Sequence, residues 1–119
     1  MPSKQAHVAQ YKHNKQFVKT GIKDTNTYCD WYITAVFYSV LHLVDATLAD
    51  EDEHPSTHVD RNAIVWNSPA TRAVRRDYQQ LYGLSQKSRY QCIEITDQDA
   101  RIAQQVLDNF ESEFVELTK

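Results

Sequence analysis

The sequence predicts an all-α fold: an up-and-down four-helix bundle with one additional short helix, filling a single domain over residues 1–119. Three observations carry this. Glycine occurs twice and proline three times in 119 residues, too few for a turn-rich β fold. Apolar residues recur at helical spacing in long runs, clearest at 29–49 and 102–117. Each run is preceded by a serine or threonine suited to cap a helix.

The first helix starts with Ser3 as N-cap and runs to about Thr20, with Val8, Tyr11, Val18 and Ile22 on its apolar side. Gly21 is its predicted stop, because glycine takes a left-handed C-terminal conformation without steric cost. The second helix reads Cys29 to about Ala49, capped by Thr27 with Asp30. Its apolar residues, from Trp31 to Leu48, cover most of the circumference, so it should be the central rod. Residues 50–54 form an acidic connector. Thr57 with Asp60 opens a short helix to about Trp66. Ser68-Pro69 starts the next, which carries Ala73, Val74, Tyr78, Leu81 and Tyr82 and is expected to end at Gly83. Residues 85–94 read as an irregular link, with Cys92-Ile93 locally extended. Thr96 and Asp99 cap the last helix, whose stripe runs from Ile102 to Leu117.

The composition narrows the function. The net charge of −3 excludes a global basic field of the kind that marks many nucleic-acid-binding domains. The apolar fraction of 41% and charged fraction of 24% are those of a globular chain. Cys29 and Cys92 have no zinc-finger spacing and read as small core residues; a disulfide between them would need an oxidising compartment. The N-terminus shows no apolar signal region, and no stretch approaches the roughly 20 apolar residues of a membrane span. A cytoplasmic protein without membrane contact is expected.

No GxGxxG, Walker loop or HExxH is present. One Glu-x-x-His occurs, Glu51 to His54, but it lies in the acidic connector before Pro55 and has no second copy. A metal set of His42, Glu51, His54, His58 and Asp60 matches no standard spacing, so neither metal nor cofactor is expected. Two groups remain. Tyr38, His42 and Asp45 share a face of the second helix, and His54, His58 and Arg61 follow the acidic loop. A neutral imidazole acts as general acid or base, and a guanidinium holds phosphate. His plus Arg therefore suffices for metal-independent RNA cleavage, in which the 2′-hydroxyl attacks its own phosphate. The competing reading is a set of structural histidines. The second group is Arg72, Arg75, Arg76, Lys87 and Arg89 interleaved with Tyr78, Tyr82 and Tyr90. Arginine beside aromatics suits a phosphate backbone and stacked bases. The competing reading there is a solvated outer face with inward tyrosines.

The block from Asp30 to His42, then Ser56-Thr57-His58-Val59-Asp60-Arg61, then Tyr82-Gly83-Leu84-Ser85 with Ser88-Arg89-Tyr90, resembles a prokaryotic branch of the HEPN superfamily. The resemblance covers about residues 26 to 92. It implies an α-helical bundle, often homodimeric. It further implies an RNA- or nucleotide-interacting domain, in some members a metal-independent ribonuclease of defence, toxin–antitoxin or stress systems. Other members are non-catalytic interaction modules, and some pair with a nucleotidyltransferase or antitoxin protein. The nuclease signature places an arginine a few residues before a histidine. Here the last histidine, His58, precedes the first arginine, Arg61, so that signature is absent. The candidates are therefore this chain's own: His58 as acid/base, Arg61 and Arg89 as phosphate ligands, Tyr90 and Arg76 as further phosphate or RNA contacts, and Tyr38 with His42 as a supporting shell.

Overall fold

A computed structural model describes residues 2–21, 28–90 and 94–119. The fold is all-α, and no strand occurs among the described residues. Its helices are α1 (Lys4–Gln16), α2 (Cys29–Ala49), α3 (His58–Asn67), α4 (Arg75–Tyr90) and α5 (Asp97–Glu113). A π-helical turn, Phe17–Gly21, extends α1, a 3₁₀ segment, Pro69–Val74, leads into α4, and a 3₁₀ turn, Val115–Leu117, follows α5.

The caps explain the boundaries. Ser3 Oγ accepts the Ala6 amide at 3.1 Å, and Thr57 Oγ1 accepts that of Asp60 at 3.1 Å. Thr96 and Asp99 close a reciprocal capping box at 3.2 and 3.1 Å. Each bond satisfies an N–H that the first helical turn leaves without a partner. The predicted Thr27 cap lies outside the described residues, as do Ile22 and the Cys92-Ile93 pair. Ser68 Oγ accepts from Ala70 N, with Pro69 in the first turn, but that turn winds as 3₁₀ before α4 begins.

Two expectations about glycine are corrected. Gly83 does not end a helix: α4 passes through it to Tyr90, so Arg89-Tyr90 forms the last helical turn rather than an irregular link. Neither glycine has positive φ, so Gly21 is not a left-handed stop. A Cβ at Gly21 would run into the ring of Phe17, so any larger residue there requires that half-exposed ring to move aside.

α2 is the central rod. Ile33, Val36, Phe37, Val40, Leu43, Val44 and Leu48 are fully buried among Tyr78, Leu81, Val106, Leu107 and Phe110. Trp31 is an exception to the expected apolar coat, 60% exposed at the start of the helix. Cross-helix pairs fix the directions. Lys4 meets Asp50 and His7 meets His42, so α1 runs antiparallel to α2. Thr34 meets Ser88 and Phe37 meets Tyr82 and Tyr78, so α4 is also antiparallel to α2. Cys29 donates to Asp97, and Tyr32 hydrogen-bonds Gln104, so α5 runs parallel to α2. By length and composition α2 could cross a membrane, contrary to the reading that no segment approaches this. Yet 78% of its most apolar window is buried against the other helices, which is the burial of a core element.

Candidate functional site

The polar groups of α2 reach all the helices around it. Toward α3, Asp45 accepts Arg61 Nε at 2.8 Å and Nη2 at 3.1 Å, a bidentate fork. Both residues are buried, and Arg61 also reaches the Pro55 carbonyl at 3.4 Å. α3 is anchored to the rod by this pair, because Arg61 sits one turn after the Thr57 cap and points inward. The guanidinium proposed from sequence as a partner in cleavage is thus committed to a carboxylate inside the protein.

Toward α1, His42 Nδ1 lies 3.0 Å from His7 Nδ1, with ring centroids 5.3 Å apart. One ring donates and the other accepts. Burial pushes the pKa of both imidazoles down, and Arg61 adds to this while Asp45 opposes it. For His42 the neighbouring His7 lowers it further. Both are therefore neutral near pH 7. The carboxylate of Asp45 is close by: one ligand atom from each of His7, His42 and Asp45 lies within 4.8 Å of the others.

His58, the first residue of α3, packs its ring against Phe37 and Tyr82, with centroids 5.8 and 5.7 Å away. Its Nδ1 is buried, with no hydrogen-bond partner among the described residues. Burial lowers its pKa first, and the positive charges of Arg61 and Arg89 lower it further against the pull of Asp45. His58 thus lies within electrostatic reach of both Arg61 and Arg89.

Arg89 is held by four residues, Tyr38, Ser85, Phe37 and Tyr90. Its Nη1 donates to Tyr38 Oη, its Nε to the Ser85 carbonyl at 3.3 Å, and its Nη2 to Ser85 Oγ at 3.3 Å. Its Cζ lies 4.8 Å from the Tyr90 ring centroid, 5.2 Å from that of Tyr38 and 5.3 Å from that of Phe37. No carboxylate among the described residues pairs with it. These contacts exist because α4 continues past Gly83, which puts Ser85 and Arg89 one turn apart on one face. Tyr90 is 65% exposed beside it.

Tyr38 also borders a groove of about 350 Å³ between α1 and α2, lined by Phe17, Trp31, Thr34, Ala35 and His42 among others. Phe17 and Trp31 expose about half or more of their surface there. The groove therefore runs from an aromatic mouth to the His7–His42 pair.

The remaining candidates are dispersed. Arg76 is exposed and lies with Arg75 over Trp66, at 5.9 and 4.4 Å, away from the Arg89 group. Lys87 pairs with Asp99 at 3.1 Å, and Arg72 is exposed on the 3₁₀ segment. Tyr78 is buried rather than available for stacking. The ligand set envisaged around the acidic loop does not assemble: His54 pairs with Asp52 at 3.3 Å, and Glu51, Glu53 and Asp60 are exposed. Sequence reasoning missed His7. The signal was present, since His7, Tyr11, Asn14 and Val18 trace one stripe of α1, and three of these four are buried. A histidine on a core stripe requires a polar partner.

No protein-family model and no curated protein matches this chain.

Proposed function

We propose that the protein is a HEPN-like, RNA- or nucleotide-interacting domain whose contact surface centres on Arg89, Tyr38 and Tyr90. The observation that supports this most is the state of Arg89. Its guanidinium is oriented by Ser85 and Tyr38, flanked by aromatic rings, and paired with no carboxylate among the described residues. A planar cation held this way keeps its charge for a phosphate, while an exposed ring beside it offers a stacking face for a base. Arg61 does not join as a phosphate ligand in this reading, because moving it would strand the Asp45 carboxylate. In the cleavage version of the proposal, His58 would be the acid/base, close to Arg89 and neutral near pH 7.

A second reading is a non-catalytic protein-interaction module of the same fold. The half-exposed Phe17 and Trp31 along the α1–α2 groove favour it.

Fluorescence anisotropy with a labelled single-stranded RNA, in parallel with gel analysis of its integrity, separates these readings. Nucleic-acid contact predicts saturable binding that weakens about tenfold or more in Arg89→Gln, with a salt dependence reduced by roughly one phosphate contact. Cleavage that is lost in His58→Ala adds the ribonuclease activity. Absence of binding at low salt removes the nucleic-acid reading and leaves the interaction module.

A further inference from the structure

We propose that His7, His42 and Asp45 form a binding site for a divalent first-row transition metal, with Zn²⁺ as the probe. The site uses none of the groups that contact RNA in the proposal above. It draws on two helices: His7 from α1, and His42 with Asp45, three residues apart, from α2.

Three features carry the inference. The first is the donor set. Two imidazoles and one carboxylate are a standard combination for zinc and for non-haem iron, both of which keep further positions open. The second is spacing. The two Nδ1 atoms are 3.0 Å apart, and ligand atoms about 2.1 Å from a tetrahedral zinc stand roughly 3.4 Å from each other. Binding would require the hydrogen-bonded ring to shift its proton from Nδ1 to Nε2, leaving both Nδ1 lone pairs turned inward. No proton need leave the protein. The third is support and access. Arg61 grips both oxygens of Asp45, so the carboxylate is oriented by an outer partner, as metal-ligating carboxylates commonly are. Its fork occupies one lone pair on each oxygen and leaves the others available. His42 also lines the end of the α1–α2 groove, which supplies an entry path and room for the remaining ligands. Because Arg61 cancels the charge of Asp45, those ligands would be water or a small anion.

The test uses the full chain, purified without a histidine tag and stripped with a chelator. Titration with Co²⁺ is expected to show one saturable site per chain with a visible d–d spectrum, displaced by Zn²⁺. His7→Gln and His42→Gln should each weaken binding by about tenfold or more, and His13→Gln, altered on the exposed side of α1, should leave it unchanged. Zn²⁺ should raise the melting temperature of the wild type and of His13→Gln alone. X-ray absorption of the wild-type Zn²⁺ complex needs no variant, and should show two imidazoles with oxygen. No saturable binding to the wild type, equal binding in both ligand variants, or a shell without imidazole each overturns the site.

Discussion

Arg61 closes on Asp45 through both carboxylate oxygens, at 2.8 and 3.1 Å, with 7% and 6% of the two residues exposed. A charge pair this deep ties α3 to the central rod across the loop that separates them in sequence. Removing one member strands the other in a place that water barely reaches. Arg61→Ala is expected to lower stability by about 3–5 kcal/mol. The double substitution Asp45→Leu/Arg61→Met should recover much of that loss, since an apolar pair of similar volume avoids both desolvation costs. Urea unfolding of the single and double variants checks this; equal losses in both would contradict it.

Gly83 sits in the exposed interior of α4, and a Cβ built there meets nothing within 4 Å. Gly83→Ala should therefore stabilise the protein by about 0.5–1 kcal/mol, through helix propensity and a less disordered unfolded chain. A raised melting temperature is the expected reading, and a lowered one would show that this turn of α4 is not helical.

His58 contributes to the pH dependence, in the same direction as His7 and His42, whose pKa values burial also lowers. Its folded pKa lies below the ordinary 6.5, pressed down by burial and by Arg61 and Arg89, with Asp45 opposing. The unfolded chain therefore takes up this proton more readily. Stability is complete above about pH 6.5 and declines as the pH falls through that value. Thermal melts at about pH 7.5 and about pH 5.5 should show a loss on acidification. His58→Phe keeps the ring between Phe37 and Tyr82 and removes both the titration and the unpartnered Nδ1, so the loss should shrink. An undiminished acid loss in His58→Phe would place the titration elsewhere.

Tyr38→Phe removes only the hydroxyl that accepts from Arg89 Nη1 and leaves the ring beneath the guanidinium. Stability should change by about 1 kcal/mol or less. RNA affinity should fall, because Arg89 loses one of the contacts that orient it. Comparing anisotropy titrations with urea midpoints separates the two effects.

Much of the architecture was legible because its determinants are local. Ser3, Thr57 and Thr96 cap helices through residues three positions away, and the density of apolar residues from Ile33 to Leu48 marks a rod enclosed on most of its circumference. Gly83 misled for a physical reason: glycine permits a stop without requiring one, and nothing around it demands positive φ. That error hid the last turn of α4 and, with it, the geometry that joins Ser85 to Arg89. The candidate site was legible only as a collection of residue types. The partner of Tyr38 is Arg89, 51 positions away, and the partner of His42 is His7, 35 positions away. Such pairings depend on which helices lie side by side, and no spacing within one helix reports that.

The central position of α2 has a consequence for how the molecule comes apart. α1, α4 and α5 each lean on a different strip of this one rod, so stripping away any of them bares apolar surface that the others cannot cover. Limited digestion should accordingly yield either the intact chain or small peptides, with no durable fragment in between, because the helices share a single scaffold rather than forming separable halves.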